Sequence, residues 1–248
     1  YGTSNYPDAN AYYSTAMDTI VGAAYEWSIP VVSYPIKFGR NYSQGDRDSS
    51  WHTLEGEYIF NSQYRNLYYF GHGGGETIGG DFNVLSSTNT IVGGGWYNHS
   101  SALLDTKFVH DNVVANAGGS RPYRFVFLDG CNTATGGWPQ AFGIAHQKET
   151  MDYYNGTNNT THARPSAFAG WDADMGAGKD WGTMPKFWEF REDWIGDWAN
   201  SAFETLDSSF TDGNRDSGWT DAGHLAHLKR YGYTDMRYRD YNRAGDWP

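Results

Sequence analysis

Two stretches decide how this chain reads: Leu67-Tyr68-Tyr69-Phe70-Gly71-His72-Gly73-Gly74-Gly75 and Phe125-Val126-Phe127-Leu128-Asp129-Gly130-Cys131. Each is a short, unbroken apolar run that stops at glycine. A strand buried on both faces of a parallel sheet has this pattern, because neither face alternates with solvent. A third run, Ala167-Phe168-Ala169-Gly170-Trp171, repeats it and ends before Asp172 and Asp174. Between the runs lie segments of helical period. One covers residues 100–116, with Ser100 or Ser101 as cap and Leu104, Phe108 and Val113 inward. Another follows Gly136-Gly137 with Pro139 in its first turn.

Working outward, residues 11–25 place Ala16, Met17, Ile20, Val21 and Ala24 at helical spacing. Extended stretches are expected at 29–34 and 36–38, broken by Pro30 and Pro35, and a short strand at 58–60. Pro185 opens the longest predicted helix, whose stripe runs through Phe187, Arg191, Trp194, Trp198, Ala202 and Leu206. Trp194 and Trp198 are expected in the core. A short helix at 221–229 and an extended stretch near 231–238 close the chain. The alternation predicts an α/β fold in one domain spanning 1–248. It has three layers: a mostly parallel central sheet of about six strands, with helices on both faces.

Composition narrows the function. The chain has 248 residues and a formal net charge of −11, which disfavours nucleic acid and anionic membrane surfaces. No run of about 18 apolar residues exists to span a membrane. A single cysteine excludes an intrachain disulfide and a multi-cysteine zinc site. Residue 1 is Tyr, which suggests a processed chain or a fragment. Sequons begin at Asn41, Asn98, Asn155, Asn158 and Asn159, and lysine is sparse. These features lean toward an extracellular or surface glycoprotein. The many aromatic residues offer a surface for homo-oligomer contacts.

In open parallel sheets, reactive groups gather beyond the carboxyl ends of the strands. Two such ends carry His72 and Cys131. If their strands are neighbours, imidazole and thiol share a crevice. The amides of Gly73 and Cys131 would then serve as oxyanion donors. A helix starting just after Cys131 would favour thiolate through its dipole. A nucleophile, a proton donor and two oxyanion donors are what acyl transfer through a thioester needs.

At these residues the chain resembles the caspase-like cysteine peptidase superfamily, which includes caspases, metacaspases, legumain, gingipains and CHAT domains. The shared pattern is an apolar strand ending in His-Gly, followed by one ending in the nucleophilic Cys. The spacing is close to the roughly 50 residues of caspases. Cys131-Asn132-Thr133-Ala134 looks most like the CHAT and gingipain-like branches. Ser166 to Trp171 is similar to the strand after the cysteine helix there. The resemblance implies a His72/Cys131 dyad acting on a peptide or protein substrate. It also implies a first substrate pocket lined by Asp129, with Asp172 and Asp174 as further acids that favour a Lys or Arg side chain. The prolines at 30 and 35 depart from the family's first central strand.

Other readings stand beside this one. His72-Gly73-Gly74-Gly75 matches a lipase oxyanion motif, but the chain has no G-x-S-x-G elbow. A caspase-like scaffold with an idle dyad could serve as a secreted structural subunit. No cofactor is required. Asp212, Asn214, Asp216 and Asp221 have the alternate spacing of a calcium loop, although Ser217 and Gly223 replace its expected Gly and Glu. His224 and His227 sit three apart, without an obvious third metal ligand.

Overall fold

The computed structural model describes residues 22–23, 66–70, 73–78, 91–92, 95–96, 104–111, 113, 123–148, 166–173, 184–201, 203–216 and 226–238. The expected elements at 29–34, 36–38 and 58–60 lie outside these residues. So does all of the predicted 11–25 helix except Gly22 and Ala23, which are helical. In chain order the elements are β1 (Asn66–Phe70), β2 (Thr77–Ile78), β3 (Ile91–Val92), β4 (Gly95–Trp96), β5 (Leu104–Asp105), α1 (Thr106–His110), β6 (Phe125–Asp129), α2 (Trp138–Ala141), β7 (Ala167–Trp171), α3 (Met184–Asn200), α4 (Leu206–Asp216) and β8 (Leu228–Gly232). The chain divides into two compact units.

The first unit is an α/β body around a four-stranded sheet of order β1-β6-β7-β8. β1 and β7 both run parallel to β6, while β8 closes the edge antiparallel to β7. The three parallel strands are the three apolar runs. Every residue of β6 and β7 is buried, as a strand with no solvent face must be. One face of the sheet packs Val126, Leu128 and Phe168 against Val109 of α1 and Val113 beyond it, and against Trp138 and Ala141 of α2 and its C-cap Phe142, with Leu67, Tyr69 and Tyr231 alongside. Burying each of these large side chains contributes about 1.5–3 kcal/mol.

Two expectations in this unit change. Leu104 and Asp105 are not helical. They pair antiparallel with Thr77 and Ile78, and Thr106 N–H bonds the Glu76 carbonyl, so tertiary pairing overrides the helical period until Thr106. Residues 221–225 of the short helix expected at 221–229 lie outside the described residues; 226–227 form a turn that enters β8, because Leu228 to Gly232 completes the hydrogen bonding of β7. The last extended stretch therefore begins earlier than its pattern suggested.

The second unit holds α3 and α4. Phe190 and Trp194 stack, and both meet the Phe210 ring edge-on. Trp194 and Trp198 are buried, as expected, and donate their indole N–H to the carbonyls of Leu206 and Met236. The single long stripe is in fact two helices. Ser201 Oγ accepts from the amides of Phe203 and Glu204, which turns the chain. Thr205 and Ser208 then bond each other's backbone amides, a reciprocal cap that starts α4. No helix among the described residues is long and apolar enough to cross a membrane.

Candidate functional site

β1 and β6 lie side by side in parallel, with Phe70 opposite Asp129 at their carboxyl ends. His72 and Asp174 lie outside the described residues, but the chain on the far side of His72 is described. Gly73 is buried against the turn that follows β6. A Cβ placed there would sit 2.5 Å from Thr133 Cγ2 and 2.8 Å from the Cys131 carbonyl oxygen, so only glycine fits. The two post-strand loops stay in contact beyond this point. Trp138 donates its indole N–H to the Gly74 carbonyl at 2.9 Å, and Gly137 N–H donates to Glu76 Oε1 at 3.1 Å. The second Glu76 oxygen accepts from the Thr106 hydroxyl. A Cβ on Gly136 would collide with the Gly75 carbonyl. The glycines at 73, 75 and 136 therefore let two backbones meet.

Cys131 is partly exposed and sits in a turn rather than at a helix start. α2 begins only at Trp138, so the expected dipole at the thiol is replaced by turn geometry. Asn132 adopts a left-handed φ of 56°, which Asn tolerates better than most residues. Thr133 fastens this turn. Its buried hydroxyl lies 2.6 Å from the Leu128 carbonyl and 2.9 Å from that of Gly130, and it accepts from Trp171 N–H at 3.2 Å. Asn132 N–H bonds the Ala173 carbonyl at 3.0 Å, and Ala134 N–H bonds that of Trp171 at 2.8 Å. The cysteine turn is thus stitched both to β6 and to the end of β7.

The acids expected to line a substrate pocket have different fates. Asp129 is 1% exposed. Its Oδ1 accepts from Trp171 Nε1 at 2.7 Å and its Oδ2 from the Tyr68 hydroxyl at 3.0 Å. The carboxylate ties together β1, β6 and β7, a scaffold role that the sequence reading did not foresee.

Asp172 is partly exposed. Its Oδ1 lies 2.5 Å from His227 Nδ1 and its Oδ2 lies 3.1 Å from Lys229 Nζ. Its backbone N–H also bonds the His227 carbonyl at 3.0 Å. Burial pushes the Asp172 carboxyl up, but the hydrogen bonds from His227 and Lys229 together outweigh it and hold the group below the ordinary carboxylate value.

Three of the four residues of the expected calcium loop are in a described element. Asp212, Asn214 and Asp216 lie in α4. Asp221 and His224 lie outside the described residues. Among the described residues, no group of three or more His, Cys, Asp or Glu is placed to hold a metal ion.

Sequence reasoning missed Thr133 as the clasp of the cysteine turn, Tyr68 and Trp171 as partners of Asp129, and Lys229 as a partner of Asp172. The Tyr68, Trp171 and Lys229 pairings, and the bond from Trp171 N–H to Thr133, cross between elements far apart in the chain, so local spacing does not reveal them. No family model, curated protein or solved structure matches the chain.

Proposed function

We propose that this chain is a cysteine endopeptidase cleaving after a basic residue, built on a caspase-like three-layer sheet whose further strands extend the four described. The observation that supports it is the parallel pairing of β1 with β6. That pairing sets the loop carrying Gly73 against the turn carrying Cys131. In this reading Cys131 Sγ attacks the substrate carbonyl and forms the C–S bond. The C–N bond then breaks, and His72 delivers a proton to the departing amine. Water cleaves the thioester, releasing the acid and restoring the thiol. The amides of Gly73 and Cys131 hold the oxyanion. Asp172, the partly exposed acid at the end of β7, supplies the preference for a basic side chain, and Asp174 is a second candidate. The same reading assigns the protein to the cell exterior, with a peptide or protein as substrate.

The test is incubation with a biotinylated arginyl chloromethyl ketone, alongside cleavage of an arginine-based fluorogenic peptide. Labelling is expected at Cys131, and activity is expected to vanish in Cys131→Ala and His72→Ala. Full activity in Cys131→Ala overturns the mechanism. A protein that assembles into a regular polymer yet neither labels nor cleaves would instead be a structural subunit.

A further inference from the structure

We infer that Lys229 is an internal occupant of the acidic subsite at the end of β7, and so sets how strongly that subsite favours a basic ligand. The inference rests on the reading of Asp172 as the specificity acid. Both oxygens of the Asp172 carboxylate are already engaged, one by the Lys229 ammonium at 3.1 Å and the other by His227 at 2.5 Å. Lys229 sits on β8 opposite Gly170, so the antiparallel register delivers its side chain to the acid just past the end of β7. The Lys229 ammonium offsets the Asp172 carboxylate. The subsite then presents no net charge to a substrate, instead of the negative charge that a lone carboxylate would offer.

The contact can be displaced. The Lys229 and Asp172 side chains are 37% and 28% exposed, and ion pairs this close to water are weak. An incoming guanidinium can exchange for the ammonium, gaining a bidentate geometry that lysine lacks. The subsite lies next to the cysteine turn, because Ala173, the neighbour of Asp172, accepts from Asn132 N–H. Lys229 thus acts as a competitor in cis, lowering affinity for basic ligands relative to neutral ones.

The experiment needs no turnover. In the Cys131→Ala protein, binding of N-acetylargininamide and of its neutral isostere N-acetylcitrullinamide is measured by calorimetry, with and without Lys229→Met. Lys229→Met should raise the arginine-to-citrulline affinity ratio about fivefold, the scale of one partly exposed ion pair. Adding Asp172→Asn should cancel that gain. Lys229→Gln, which keeps a polar chain of similar length, should behave like Lys229→Met. An unchanged ratio, or equal gains for both ligands, overturns the inference. The same substitution in the Cys131-containing protein should shift the kcat/KM ratio of arginine and citrulline substrates by the same factor. A binding gain without any cleavage would retain the Lys229 assignment and refute the peptidase reading.

Discussion

Replacing Trp171 with Phe tests whether Asp129 belongs to the scaffold. The substitution keeps an aromatic ring and removes the indole N–H that donates to Asp129 Oδ1 at 2.7 Å. Trp171 is fully buried and Asp129 is 1% exposed, so water cannot replace the lost donor. A hydrogen bond to a charged group contributes about 1.5–3 kcal/mol, and stranding a buried acceptor costs toward the upper end. The smaller ring also leaves unfilled volume, so a total of about 3 kcal/mol is expected. With a urea slope of about 3 kcal/mol/M for a chain of this size, the midpoint should fall by about 1 M. Tyr68→Phe removes only the 3.0 Å bond to Oδ2, from a partly exposed side chain, and should cost about 1 kcal/mol. In the Asp129→Asn background both losses should shrink, since all three groups form one network. The assay is equilibrium urea denaturation followed by fluorescence and far-ultraviolet circular dichroism. A midpoint shift below about 0.2 M for Trp171→Phe would refute the scaffold role of Asp129.

Thr133→Val preserves shape but deletes the hydroxyl shared by Leu128, Gly130 and Trp171. It should cost about 1–3 kcal/mol by urea denaturation and should speed exchange of the Trp171 amide. Gly136→Ala drives a methyl group into the Gly75 carbonyl. The loss should be about 3 kcal/mol or more, read as a drop in melting temperature larger than that of Gly22→Ala, where space is open. Asp172 has a lowered folded pKa, so its contribution is present above the unfolded value of about 3.9 and disappears as pH falls through the folded value. Wild type and Asp172→Asn should therefore differ by up to about 1 kcal/mol near neutral pH and converge in acid, as checked by denaturation across pH 2–7.

The apolar runs announced β6 and β7 because a strand buried on both faces must be apolar at every position, and β1 carries the same pattern although its residues 66–69 are only half-buried at the edge of the described sheet. Pro139 and the caps around Thr205 act within a few residues, so they too are local, although the break at Ser201 was hidden by an apolar period continuing across it. Leu104 and residues 226–229 were misread because a short segment's state depends on the partner it meets: β2 for one, β7 for the other.

At the site, sequence alone marked Cys131 and Gly73 by their place at the ends of apolar runs, while the close approach of 73 to 131 that only glycine permits emerged from the structure. It also drew attention to Asp129 and Asp172 but could not separate them. Only the tertiary structure decided that Asp129 is spent on Tyr68 and Trp171 while Asp172 faces His227 and Lys229. A carboxylate's role depends on which donors surround it and how much water remains, and both are set by strand order and register rather than by neighbours along the chain.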